Sequence, residues 1–243
     1  LRHMERALGD AIEGFEVMAD DILGVVVAEV EGARRPIETS TAWHALIETV
    51  TDDPAEADRL NERVEAALAE AFEQGIVRDA AIASSEGQAE AFWHLRETVS
   101  LAEKSRGPAV QFDVSVPVTA MPAFMIEARA ACEAAFPGCS ATSYGHLGDG
   151  NIHFHVRPPR DTEDRGAAWV ARHGADVSRF VNDIVEAKGG SISAEHGIGQ
   201  MKIDELARLA SPARLAAMRA IKDAFDPAGI MNPGKLVPLA TPA

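Results

Sequence analysis

Apolar residues recur at three- and four-residue spacings through much of the chain, the signature of amphipathic helices. Leu8, Ile12, Phe15 and Met18-Ala19 predict a helix over 5–23. Leu60, Val64, Leu68 and Phe72 predict another, opened by Asp53 as N-cap with Pro54 behind it and stopped at Gly75. A third, capped at Ser84-Ser85-Glu86, carries Phe92, Trp93, Leu95 and Arg96. A fourth spans 119–136 and is cut off by Pro137-Gly138. The fifth, 162–187, buries Val170, His173, Val177, Phe180-Val181 and Ile184 and ends at Gly189-Gly190. Two more follow, the second opened by Ser211-Pro212, and 225–236 reads as an irregular tail.

Strand patterns fall between these helices. Residues 42–50, 76–83, 109–116 and 140–146 read as strands, Asn151 to Val156 alternates polar and apolar, and 191–194 is a short extended piece. Residues 25–30 fit helix or strand equally, and 31–40 form a loop. Strands about 30 residues apart with helices between them predict an α+β fold, with ferredoxin-like units sharing a mostly antiparallel sheet flanked by helices. A doubly wound parallel sheet is disfavoured because no Gly-rich phosphate turn follows an early strand. One domain is expected over 1–243, with its core at about 15–236. Leu1-Arg2-His3-Met4 reads as a tag remnant outside the fold.

With 243 residues, 47% hydrophobic and 25% charged, the chain has a globular composition. Its net charge of −15 argues against a nucleic-acid or anionic-membrane surface. No apolar run reaches membrane-spanning length, and no signal peptide is visible. The two cysteines, Cys132 and Cys139, suggest neither a disulfide framework nor a thiolate metal site, so a reducing cytoplasm is the expected location.

The chemistry concentrates in Ser143–Val156. This stretch holds His146, His153 and His155 together with Gly148-Asp149-Gly150 and Asn151. Gly-Asp-Gly is turn chemistry. A turn lets His146 and His153, seven residues apart, face one cleft, whereas one flat strand would put them on opposite faces. A second stretch, Ser193-Ala194-Glu195-His196-Gly197-Ile198-Gly199, adds a carboxylate and an imidazole. Imidazole with carboxylate suits zinc or another first-row divalent ion. The bland alternative is a hairpin with ordinary polar residues on its wet face.

These two motifs, with Asp226-Pro227 and Asn232-Pro233-Gly234-Lys235 behind them, resemble the C-terminal half of FAD-linked D-2-hydroxyacid dehydrogenases. That family includes D-lactate dehydrogenase, the glycolate oxidase FAD subunit and D-2-hydroxyglutarate dehydrogenase. The resemblance runs from about Phe15 to the tail. It implies that most of the FAD is held by an N-terminal half of vanillyl-alcohol-oxidase type, absent from this sequence and supplied by the same gene or by a partner subunit.

By the same resemblance His146, His153 and Glu195 are metal ligands, His196 the general base, and Arg96 the substrate-carboxylate binder with Ser100 assisting. Asn151 lies beside the metal, and Asn232 and Lys235 lie near the flavin. The expected substrate is a small 2-hydroxy acid, and zinc is the expected metal. One departure stands out: the relatives have Lys where this chain has Gln111, in Gln111-Phe112-Asp113, which disfavours a distal carboxylate on the substrate. His155 is expected in a supporting or solvent-facing role, His173 in the core or an interface, and Asn232 serves equally well as a turn cap. The expectations leave room for a homodimer. Two other readings compete: a non-catalytic domain that binds metal or hydroxy acid and docks on a separate FAD chain, and a metal-dependent hydrolase.

Overall fold

Residues 5–23, expected as one helix, divide among four elements. In the computed structural model, which describes residues 1–160, 162, 164 and 166–237, helix α1 covers Arg2–Leu8 and a 3₁₀ turn covers Gly9–Ala11. Strand β1 then runs Ile12–Ala19, and α2 runs Asp20–Glu29. The three-and-four spacing of Leu8, Ile12 and Phe15 arises by coincidence across a helix end, a turn and a strand start. Gly9, at φ 59°, breaks the helix where a side chain would be strained. Residues 1–4 belong to the fold, contrary to expectation: Met4 is buried and the His3 ring meets the Ala67 carbonyl at 2.8 Å.

The remaining elements are β2 (Trp43–Thr49), α3 (Ala57–Glu73), α4 (Glu86–Glu97), α5 (Val99–Ser105), β3 (Val110–Ser115) and α6 (Met121–Ala135). After them come β4 (Ser140–His146), β5 (Asn151–Arg157), α7 (Ala167–Ala187), α8 (Ile203–Leu209) and α9 (Pro212–Phe225). The described residues thus give nine helices and one five-stranded sheet, ordered β2-β1-β4-β5-β3 and antiparallel at every pairing. The α+β expectation holds. Within the sheet, β3-α6-β4 is a split β-α-β unit whose gap is filled by β5.

Three other boundaries differ. Residues 76–83 form no strand. The N–H groups of Ile76 and Val77 both turn back to the Ala71 carbonyl through Gly75 at φ 67°, so the chain leaves α3 in a cap rather than toward the sheet. Residues 191–194 contribute one bridge, Ser115 to Ser191, and no longer ladder. The helix expected from Thr162 begins at Ala167; residues 163 and 165 of that expectation lie outside the described residues.

Alternation along β3, β4 and β5 divides the sheet into two faces. Phe112, Val114, Ala141, Ile152, Phe154 and Val156 pack against Phe124, Met125, Ala128 and Cys132 of α6 and Val177, Val181 and Val185 of α7. The opposite face carries Gln111, Asp113, Tyr144, His146, Asn151, His153 and His155. There α2, α4 and α5 meet the sheet around Met18 and Tyr144. Cys132 and Cys139 are free and buried, and burial pushes their thiols up to about 12 and about 11.

The hairpin that aligns the two histidine strands depends on Gly145. A Cβ there would lie 2.1 Å from the Asn151 carbonyl oxygen, backbone against which nothing can yield. Gly145→Ala is expected to cost about 2 kcal/mol or more, read as a lower denaturation midpoint with the slope of the transition unchanged.

Candidate metal and substrate site

Strand pairing places the histidines. His146 ends β4 opposite Asn151, and His153 lies on β5 opposite Tyr144 and Asp113. The turn at Gly148-Asp149-Gly150, with Asp149 accepting the Asn151 N–H at 2.9 Å, brings both imidazoles to one face as expected. Their rings lie 6.1 Å apart. The loop after Ser191 then lays Glu195 over them: His146 Nε2 is 3.7 Å from one Glu195 oxygen, and His153 Nε2 is 3.9 Å from the other.

These separations are too long for hydrogen bonds. They are close to the ~3.4 Å expected between two ligands about 2.1 Å from one zinc ion. Burial, with the Arg96 charge nearby, lowers the His153 pKa to about 4, so its ring is neutral and available as a ligand at neutral pH. The donor set therefore fits a divalent ion. A second group among the described residues, Asp113, Glu195 and His196, shares Glu195 with it. In it Asp113 Oδ2 already accepts the Glu195 and His196 N–H groups at 3.0 and 2.8 Å, while Oδ1 is buried with no partner among the described residues.

The lowered His153 pKa has a consequence for stability. The folded chain keeps this ring unprotonated while an unfolded chain takes up a proton, so its contribution is fully present above about pH 6.5 and is lost as pH falls toward about 4. Thermal melts of the metal-free protein should show Tm declining through that window. A flat profile would mean the ring is not desolvated.

His196 stands beside the ligands and outside the set, its ring 6.1 Å from that of His153 and its Nδ1 3.6 Å from buried Asp113. Glu195 and His196 are 51% and 68% exposed as side chains, so the site opens to the surface here.

Arg96 is no surface ion pair. It is nearly buried, donates from Nε to Glu16 at 2.7 Å, and sits 5.0 Å above the Tyr144 ring. Its terminal nitrogens make no hydrogen bond among the described residues, which leaves a free fork. Ser100 is exposed, with Oγ 3.3 Å from the Tyr144 hydroxyl. Gln111 is exposed on β3 opposite His155 and makes no side-chain hydrogen bond among the described residues. Asn151 is buried, and neither Oδ1 nor Nδ2 of its amide has a partner among the described residues. Asn232 and Lys235 make no hydrogen bond to the histidines among the described residues. Asn232, at φ 47°, accepts the Lys235 N–H in a turn, and the Lys235 ammonium reaches Gln200. The tail is nonetheless tied close to the Glu-His turn, where the Leu236 N–H meets the Gly199 carbonyl at 2.8 Å.

Three carboxylates carry parts the sequence did not reveal. Glu16 on β1 accepts from His146 Nδ1 at 2.6 Å as well as from Arg96. Asp113 clamps the Glu195-His196 backbone. Glu103 on α5 accepts from His155 Nδ1 at 2.9 Å and Arg157 at 2.7 Å, both buried, and from Arg106 at 3.1 Å. His155 is therefore held inside the structure rather than facing solvent. His173, half-buried on α7, packs beside Trp169 at 5.2 Å.

With the geometry in place, comparison with known proteins adds a lineage. The chain is 33% identical over 234 residues to a mitochondrial D-2-hydroxyglutarate dehydrogenase of Arabidopsis thaliana, covering 96% of this chain and 39% of the relative. It is 37% identical over 229 residues to the D-2-hydroxyglutarate dehydrogenase of Xanthomonas citri, covering 93% and 46%. The chain thus spans less than half the length of these relatives. In fold it resembles p-cresol methylhydroxylase, with TM-score 0.66 at 12% identity over 100% of this chain and 50% of that one. The 4-ethylphenol oxidase of Gulosibacter chungangensis gives 0.60 at 16% identity, over 93% and 48%. The family model for FAD linked oxidases, C-terminal domain, matches residues 1–236, and the chain belongs to that family.

Proposed function

We propose that this chain supplies the substrate- and metal-binding half of a FAD-dependent dehydrogenase that oxidises a D-2-hydroxy acid to the 2-oxo acid. The observation that carries this reading is the convergence of His146, His153 and Glu195 on one point, with His196 and Arg96 close by. When bound, a divalent ion would lower the pKa of a coordinated hydroxyl and FAD would supply the hydride acceptor.

The chain's own residues do the rest. Arg96, held at Nε, presents its terminal nitrogens as a fork for the substrate carboxylate. His196, outside the ligand set, takes the hydroxyl proton, and Asp113 fixes its backbone. The unpartnered Asn151 amide beside the ligands offers hydrogen bonds to a bound group. The FAD-binding domain belongs to the part of the relatives' length not covered here, in the same gene or in a partner subunit. The exposed Phe225, Ile230 and Met231, next to Asn232 and Lys235, suit its docking surface.

Specificity follows from the charges. Glu16 engages Arg96 and Glu103 engages Arg106 and Arg157, while Gln111 is neutral. A neutral amide holds a carboxylate about half as strongly as a charged donor. The enzyme complete with its FAD half should therefore oxidise monocarboxylic 2-hydroxy acids about as well as dicarboxylic ones, compared by kcat/KM. A large advantage for 2-hydroxyglutarate over lactate would contradict the role given to Gln111 and would point to Lys104 as the missing cation.

A further inference from the structure

We propose that Glu16 is a positioning residue that fixes the tautomer of His146 and the orientation of Arg96 together. The inference rests on the metal site proposed above and assigns the group that makes that site competent.

Its basis is the sheet register. Glu16 on β1 lies directly opposite His146 on β4, and two residues on Met18 lies opposite Tyr144, so all four side chains share one face. The Glu16 side chain is buried and splits its oxygens: Oε1 lies 2.6 Å from His146 Nδ1, and Oε2 lies 2.7 Å from Arg96 Nε. An ionised carboxylate only accepts, and a guanidinium only donates. Both neighbours therefore present N–H groups to it, and the proton of the neutral His146 ring sits on Nδ1. The lone pair is left on Nε2, the nitrogen that faces Glu195 at 3.7 Å. A carboxylate behind a ligating imidazole fixes the ring and raises its basicity.

The same carboxylate sets Arg96. Anchored at Nε, the guanidinium lies over Tyr144, and that ring packs on His153 at 4.9 Å between centroids. Glu16 is thus in direct contact with one ligand and connected to the other through two packed side chains.

The isosteric amide separates this role from simple packing. In Glu16→Gln the side chain has one acceptor atom and one NH₂ group for two donors. If the carbonyl oxygen stays with Arg96, the NH₂ faces Nδ1, which must then accept. The ring proton moves to Nε2 and blocks the coordinating position. Zinc affinity of the purified protein, measured by titration calorimetry, should fall 10- to 100-fold in Glu16→Gln. Glu16→Asp, which keeps two acceptors, should lose less. Long-range ¹H–¹⁵N correlation spectra of the metal-free wild-type protein should show His146 protonated on Nδ1, a readout that needs no variant to fold. Wild-type affinity in Glu16→Gln, or an Nε2–H tautomer in the wild type, would overturn the proposal. If His146→Ala also binds zinc at wild-type affinity, the metal site itself is wrong. If His146→Ala loses zinc while Glu16→Gln keeps it, only the role of Glu16 falls.

Discussion

His196→Ala, in the enzyme complete with its FAD half, is expected to retain its metal and lose turnover by about 10² to 10⁴, the contribution of a positioned base. The expectation rests on where His196 stands. Its ring is beside His153 rather than in the ligand set, and its side chain is largely exposed where a substrate can reach it. The loss should appear in kcat more than in KM, because the carboxylate-binding role proposed for Arg96 is untouched by the substitution. A ligand would behave differently, losing metal and rate together. Asp113→Asn offers a second check. One amide oxygen can still accept the two backbone N–H groups, so the loop should stay in place and the metal should stay bound.

Glu103→Ala is expected to destabilise the fold by about 3–5 kcal/mol, the range for leaving a buried charge without its partner. Arg157 donates to Glu103 twice, to its side chain at 2.7 Å and to its backbone carbonyl at 2.9 Å, and is itself buried. Burial alone would raise the Glu103 pKa, but the hydrogen bonds from His155 and Arg157 outweigh it and bring the group to about 2. Its contribution is therefore fully present above about pH 4.5 and lost as pH falls through about 2. Urea denaturation at pH 7 gives the first number. A cost below about 1 kcal/mol, the range of an exposed ion pair, would contradict it.

How much of this was legible in the sequence depends on how local each signal is. The hairpin of Gly148-Asp149-Gly150 and its flanking histidines could be read because turn chemistry and period-two alternation act over a few residues. The Glu195-His196 turn was legible for the same reason. Strand β1 was not. Phe15, Met18 and Ala19 are all buried on a strand with neighbours on both edges, so its alternation is blurred and its apolar spacing mimics a helix. Losing β1 meant losing Glu16, whose meaning comes only from pairing with His146, 130 residues away. Glu103 was hidden in the same way, since its partners lie 52 and 54 residues downstream. Residues 76–83 failed in the opposite direction, being apolar enough for a strand while the α3 cap takes their first N–H groups.

The central claim is that His146, His153 and Glu195 hold one ion while His196 does not. Zinc content by elemental analysis, after loading and desalting, tests it directly on wild type, His146→Ala, His153→Ala and His196→Ala prepared side by side. The account predicts about one zinc per chain in wild type and His196→Ala, as one three-ligand site requires, and little in the other two. Zinc retained equally in all four, or lost from His196→Ala as readily as from His153→Ala, would contradict it.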